Sequence, residues 1–227
     1  MKARVLIAET LLLGVAVVAA MAVPGKTKTA SGGASPSAAQ TRITPASVTY
    51  AKSLGSSLAP VRIEVFSDYQ CPQCRIFYLN TLRPVIDNYV STGKVYLIHH
   101  DFPLAMHAYS RDAARWATAA AVAGDFETVD EALFTSQEKW EANGQIEPVV
   151  AAVLSPADMR KVKTLFTQSA TELDAVVETD YNLGRSKNID STPSVFVTAH
   201  GQTHQLPPGG VSYPLMKQYL DYLLEQH

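Results

Sequence analysis

Read as a pattern of apolar and polar positions, the chain changes period several times. Val61-Arg62-Ile63-Glu64-Val65-Phe66 is rich in β-branched and aromatic residues and predicts a strand that ends at Ser67-Asp68. From about Cys71 the period lengthens. Ile76, Leu79, Leu82 and Ile86 recur at helical spacing, with Pro72 suited to a first turn, where its missing N–H costs nothing. Pro84 is expected to kink or split this helix and Gly93 to stop it. Val95-Tyr96-Leu97-Ile98 is a second strand. Strand, helix and strand at this spacing make a βαβ unit, so the two strands should run parallel.

From Met106 to about Lys187 the pattern is helical throughout. Ala113, Trp116, Ala117, Ala120 and Ala121 form one apolar stripe, and Phe126, Val129 and Leu133 another. Ser155 before Pro156 reads as an N-cap, with Met159, Val162, Leu165 and Phe166 following. Leu173, Val176, Val177 and Tyr181 lead to Gly184, read as a C-cap. Ser194 to Thr198 is a strand again, Ala199 to Gln202 a turn, and Thr203 to Leu206 its antiparallel partner. Ser212 should cap a last helix that turns Leu215, Met216, Tyr219, Leu220 and Leu223 inward. The expected fold is α/β: a small mixed sheet flanked by helices, interrupted by an all-helical subdomain at about 104–187. That insert is far longer than an ordinary connection.

The first 46 residues follow a different pattern. A positive start (Lys2, Arg4), the uncharged run Leu11–Val23 and the small-x-small triplet Ala20-Met21-Ala22 predict a secretory signal. The alternative is an uncleaved anchor, because Val5–Val23 is close to the roughly 20 residues that span a bilayer. Glu9 would be costly to bury there. Either reading of 1–23 places the folded part outside the cytoplasmic membrane. Residues 24–46 are Ala, Ser, Thr, Gly and Pro with few large apolar side chains, the composition of a flexible linker. The folded domain should therefore occupy 47–227.

Composition narrows the chemistry. The formal charge is −2, which gives no basic field for nucleic acid. Two cysteines in 227 residues cannot be a disulfide scaffold. Cys71 and Cys74 bracket Pro72 and Gln73 at a helix start. Residues three apart on a helical turn lie about 5–6 Å apart, within the Cα separation a disulfide needs. Free N–H groups at the helix N-terminus should lower the Cys71 thiol pKa, and a thiolate is the nucleophile in disulfide exchange. Cys74, one turn further in, should be more buried and act second. A metal site needs two further ligands; among the six histidines only His200 and His204 have finger-like spacing. His99-His100-Asp101 reads as a strand end with one histidine inward and one outward. His107 belongs on a helix surface or near the cysteines, and Glu64 reads as a solvated or salt-bridged strand carboxylate. Thr192-Pro193 stands just before a strand, where proline is tolerated.

With these stretches in view ("EVFSDYQCPQC", "HHDFPL", "NIDSTPSVFV"), the chain resembles the DsbA-like thiol-disulfide oxidoreductases of the thioredoxin superfamily from Val61 to about Glu225. The resemblance implies a thioredoxin fold with a helical insertion. It implies Cys71 as exposed nucleophile and Cys74 as its partner. Pro193 would be cis and packed beside the pair, with the Thr192 backbone holding an extended substrate peptide. Pro72 and Gln73 would tune the redox potential. No cofactor beyond the Cys71–Cys74 disulfide is implied. Partners would be cysteine-containing exported proteins and a membrane quinone-linked reoxidant. A reductase or isomerase of the same fold differs only in redox poise; a peptide-binding chaperone and a Cys/His metal protein are the readings from other classes. Two departures stand out. Gln73 occupies a position where relatives often carry His or an aromatic residue. Val65 stands six residues before Cys71, where relatives often carry a buried acid; Glu64, one residue away, faces the opposite side. Proton transfer to Cys74 must then use another group.

Overall fold

The structure, a computed structural model, describes residues 43–226. The signal or anchor expected at 1–23 and the linker residues up to 42 lie outside the described residues. The fold starts earlier than Ser47. Thr44 caps a helix, α1 (Pro45–Ala51), in a capping box with Ser47, and Val48 is buried. A two-residue strand, β1 (Ser53–Leu54), follows. Neither element has a sequence pattern strong enough to predict it.

Next come β2 (Val61–Ser67) and a helical run opened by α2 (Pro72–Phe77). The run is not broken at Pro84. It continues through a π-turn (Tyr78–Leu82), α3 (Arg83–Val85) and a second π-turn (Ile86–Val90). The Arg83 N–H bonds back to the Tyr78 carbonyl, five residues earlier. This widened ladder absorbs the donor that proline lacks, so the expected split does not occur. The strand β3 (Val95–Asp101) then pairs with β2 in parallel, with Val65 opposite His99.

Six helices separate β3 from the next strand: α4 (Ser110–Ala123), α5 (Phe126–Thr135), α6 (Gln137–Trp140), α7 (Ile146–Val153), α8 (Pro156–Gln168) and α9 (Ala170–Ser186). Their apolar stripes form the core as expected: Ala113, Ala117, Val129, Leu133, Val162 and Val177 are fully buried. Ser155 caps α8 by accepting from the Asp158 N–H. Gly184 does not end a helix. It lies inside α9, and a Cβ there would stand 2.5 Å from a Phe102 ring carbon. The glycine is needed for close approach of α9 to the ring, not for a left-handed turn.

The chain returns as β4 (Ser194–Ala199) and β5 (Gln202–Gln205), joined by His200 and Gly201, both at positive φ as a tight hairpin turn requires. The sheet order is β1-β3-β2-β4-β5, with only β2 and β3 parallel. The last helix, α10 (Tyr213–Glu225), buries Met216, Leu220 and Leu223 but leaves Leu215 in solvent, against expectation. Leu215 lies on the outer side of the first turn, beyond the stripe that meets the sheet. The described residues hold no helix long and apolar enough to cross a membrane.

Both histidines of His99-His100 are buried, because β3 is an interior strand covered on both faces. The alternation of side chains is kept, but neither face is solvent. His100 bonds Asp180 of α9 at 3.0 Å, lies 3.4 Å from Glu64, and stacks on Phe66. Below it is an ion cluster. Lys52, fully buried, bonds Asp101 at 2.6 Å and also Asp180. Burial alone would lower the Lys52 pKa; the two carboxylates more than reverse this and raise it. Asp180 is correspondingly held well below the usual carboxylate range. The cluster ties the segment after α1, the end of β3 and the insertion into one body.

Candidate active site

The site lies at the C-terminal end of β2. The strand ends at Ser67, and the turn Asp68–Gln70 leads to α2, with Cys71 as its N-cap residue. Pro72 is at the first helical position, as expected. Asp68 holds this turn in shape. Its Oδ1 accepts from the Gln70 N–H and the Ser110 hydroxyl, and its Oδ2 accepts from the Leu104 N–H at 2.8 Å and meets His107 Nδ1 at 2.8 Å. So His107 is not on a helix; partly buried, it sits in the loop after β3 and serves Asp68, whose own N–H meets Cys74. Gln137 of α6 donates to the carbonyls of Tyr69 and Cys71, which fixes the backbone around the first cysteine. Neither Asp68 nor Gln137 was singled out by the sequence. Apart from Gln70, their partners lie 36 to 68 residues away, and no local pattern marks them.

Both cysteines are thiols in this structure. Cys71 keeps 7% of its surface and Cys74 only 1%, so the expected order of exposure holds while Cys71 is less open than expected. Their acidities diverge. The Cys71 pKa is lowered to about 5, first by the hydrogen bond from the Cys74 thiol. Burial opposes this, and the N–H groups of Cys74 and Gln73 add to it, with the Thr192 hydroxyl close by though not in a well-formed hydrogen bond. The helix-terminus argument is thus right in direction, but the second cysteine is the larger cause. Cys74 is pushed well above an ordinary thiol, first by burial and then by the Cys71 sulfur beside it. The Asp68 N–H points at Cys74 Sγ from 3.4 Å, and the Ser67 hydroxyl also contacts it.

Thr192 and Pro193 stand across from the pair. The Thr192–Pro193 bond is cis. The Cys71 thiol donates to the Thr192 carbonyl at 3.6 Å. The Gly209 N–H closes the loop by bonding the Pro193 carbonyl at 3.2 Å. Gln73 is exposed; what reaches Cys71 is its backbone N–H rather than its side chain. Of the six residues expected at the site, all lie around one sulfur. Val65 is buried on one face of β2, and Glu64 is turned to the other, toward His100 and Arg62, as the strand alternation required. Among the described residues no three His, Cys, Asp or Glu side chains are grouped to hold a metal ion, and His200 and His204 are held apart by the β4–β5 turn.

Comparison with known proteins agrees with this geometry. The family model described as "Thioredoxin" matches residues 48–209. The curated "Probable disulfide bond formation protein D" of Bacillus anthracis is 25% identical over 154 residues, covering 66% of this chain and 70% of that protein. Among solved structures, alpha-DsbA1 of Wolbachia pipientis superposes with a TM-score of 0.63 at 20% identity, over 77% of this chain and 91% of that one. Oxidised BdbD of Bacillus subtilis gives 0.61 at 21% identity, over 77% and 92%. With its five-stranded sheet, its six-helix insertion and a family match that spans most of its length, the chain belongs to the thioredoxin family and has the architecture of the DsbA-like proteins.

Proposed function

We propose that this protein is an extracytoplasmic thiol-disulfide oxidoreductase that oxidises dithiols in cysteine-containing exported proteins. The observation that carries the reading is the placement of the pair, with Cys71 at the start of α2 beside the Thr192 carbonyl and Cys74 buried one turn inside, an arrangement that lowers the first thiol's pKa and raises the second's. A substrate thiolate attacks Cys71 Sγ of the disulfide, and Cys74 leaves and is protonated. The substrate's second thiolate then attacks its own sulfur in the mixed disulfide. Cys71 departs as a thiolate, which is a good leaving group because its conjugate acid is strong. A stabilised Cys71 thiolate favours the reduced protein, and that makes the disulfide form an oxidant. The thiol-to-carbonyl contact at Thr192 supports strand-like binding of substrate backbone beside Pro193. The reduced pair must be reoxidised, and a membrane quinone-linked partner is the class proposed. Export rests on the N-terminal sequence pattern.

The test is the Cys71–Cys74 reduction potential, with oxidation of a reduced two-cysteine peptide as its companion. A potential near the strong-oxidant end, about −120 mV, supports the oxidase; one near about −270 mV assigns the same site to reduction. Cys71→Ser should abolish exchange. Full peptide-holding activity with no exchange in the unaltered protein would favour a chaperone instead.

A further inference from the structure

Beside the end of β2, between the sheet and α5, lies a small cavity of about 20 Å³. Its polar lining is Lys52, Ser67, Tyr78, His99 and Asp130, with Val65 closing one side. That is room for one water, which needs about 10–15 Å³ and two to four polar partners. Partners are at hand. His99 Nε2 is buried and lies 3.4 Å from Asp101 Oδ1 without the alignment of a hydrogen bond, and the Tyr78 hydroxyl makes no well-formed one. Ser67 touches both the cavity and the Cys74 sulfur.

Cys74 must gain a proton when it leaves Cys71 and lose it before it attacks again. The other carboxylates near the site are committed. Asp68 is saturated by four donors. Asp101 and Asp180 are held ionised by Lys52. Glu64 faces the opposite side of the sheet and is held by His100 and Arg62. Asp130 is different. It comes from α5 of the insertion, is buried, and accepts from the Tyr69 hydroxyl at 2.8 Å, with His99 Nδ1 3.4 Å away.

Resting on the redox reading above, we propose that Asp130 is the proton carrier for Cys74, reached through Ser67 and one water in this cavity, and that Tyr69 and His99 position it. When the pair is reoxidised, the Cys74 S–H passes its proton to Ser67 Oγ, the Ser67 O–H to the water, and the water O–H to the Asp130 carboxylate. The Cys74 thiolate attacks Cys71 Sγ, the Cys71–sulfur bond to the oxidant breaks, and the oxidant leaves as a thiolate. When the pair oxidises a substrate, Cys74 leaves as thiolate and takes that proton back, so the cycle balances. Burial raises Asp130 to about 6, which puts both its forms within reach of neutral pH. The charged and titratable groups facing it are Tyr69, Tyr78, His99, Asp101 and Glu127 of its own helix, with Lys52 across the cavity.

The test uses the full reduced chain charged at Cys71 with a coloured aromatic thiol. Attack by Cys74 on Cys71 Sγ releases that thiol as a thiolate, and the release rate is followed against pH. The unaltered protein should show an inflection near 6. Asp130→Asn should lose the inflection and slow release by about 10²-fold, the usual worth of a general base. The rate of charging at Cys71 should stay the same. Adding Val65→Asp on the same lining should restore release. Ser67→Ala, which breaks the chain without touching Asp130, should slow release and flatten the inflection. Release at the unaltered rate with the same inflection in Asp130→Asn, or in Ser67→Ala if the first variant fails to fold, overturns the relay alone. If the unaltered protein never releases the thiol, the exchange reading falls, and the relay with it.

Discussion

The Cys71 sulfur lies 3.6 Å from the carbonyl oxygen of Thr192, although 121 positions separate the two residues. The fold creates this contact by ending β2 and beginning β4 side by side: Phe66 pairs with Ser194, so the turn after one strand meets the loop before the other. The same approach sets the Thr192 side chain beside a sulfur that already stands at a helix N-terminus, and both lower its pKa. Cys71 should therefore titrate near 5, read from the ultraviolet absorbance of the thiolate or from alkylation rate against pH. Cys74→Ala should move that midpoint up the most, since the Cys74 thiol is the largest cause of the shift. Thr192→Val, which keeps the shape and removes the hydroxyl, should move it up by less. Equal midpoints in all three proteins would show that the helix terminus alone sets the acidity.

The same acidity makes the reduced protein's stability depend on pH in a definite direction. The Cys71 pKa is depressed in the fold, so its contribution is complete above the ordinary thiol pKa of 9.0, shrinks as pH falls, and is gone below about 5. The oxidised protein has no such thiol. Denaturant unfolding at pH 8 and pH 5 should show the reduced form losing ground against the oxidised form at the lower pH. A constant gap between the two would contradict the assignment.

Much of this arrangement was legible in the sequence because it depends on short-range signals. Two cysteines with Pro72 after a β-rich run fix a helix start, and Thr192-Pro193 marks the entrance to a strand. The βαβ unit and the apolar stripes of the insertion were equally plain. What was not legible depends on distance along the chain. Lys52 reads as one more polar residue after a low-complexity stretch. Only the fold shows it meeting Asp101 and Asp180, 49 and 128 positions away. Asp130 reads as the polar face of an amphipathic helix, yet it is turned inward to Tyr69. Gly184 was misread for the converse reason: its local meaning, a helix end, was overridden by an aromatic ring, while at Pro84 flanking π-turns keep the run from splitting.

Lys52→Met should be severely destabilising. It removes one cation and leaves two buried carboxylates facing each other, a change worth about 3–5 kcal/mol when a buried pair is broken this way. Denaturant melts should show the loss at neutral pH. It should be smaller near pH 4, where carboxylates freed of their cation can take up protons. A loss of under 1 kcal/mol would mean that the cluster relaxes into contact with water.

Gly184→Ala tests the packing reading of α9. In an exposed helix this change stabilises, by up to about 1 kcal/mol. Here the new methyl would stand 2.5 Å from one Phe102 ring carbon and 3.1 Å from a Phe66 carbon, and Phe102 is 1% exposed. Overpacking of this kind costs about 1–3 kcal/mol. A lower melting temperature is expected; a higher one would mean that the ring moves aside freely and that α9 tolerates the wider spacing.

Asp130 joins stability to chemistry. Its pKa is raised from 3.8 to about 6, and burial is the first cause. A raised acid in the fold costs nothing below the unfolded value, costs more as pH climbs, and reaches its full penalty above about 6. Two pKa units correspond to about 3 kcal/mol. Asp130→Asn keeps an oxygen to accept from Tyr69 and removes the ionisable group. The variant should thus be more stable than the unaltered protein above pH 6 and no more stable at pH 4, by denaturant unfolding at both. A residue that weakens the fold under working conditions is retained where it does something that asparagine cannot. The same substitution should strengthen the protein and slow the Cys74 step. If stability instead falls at both pH values, the carboxylate is a structural partner of Tyr69 and His99, and its burial needs no chemical explanation.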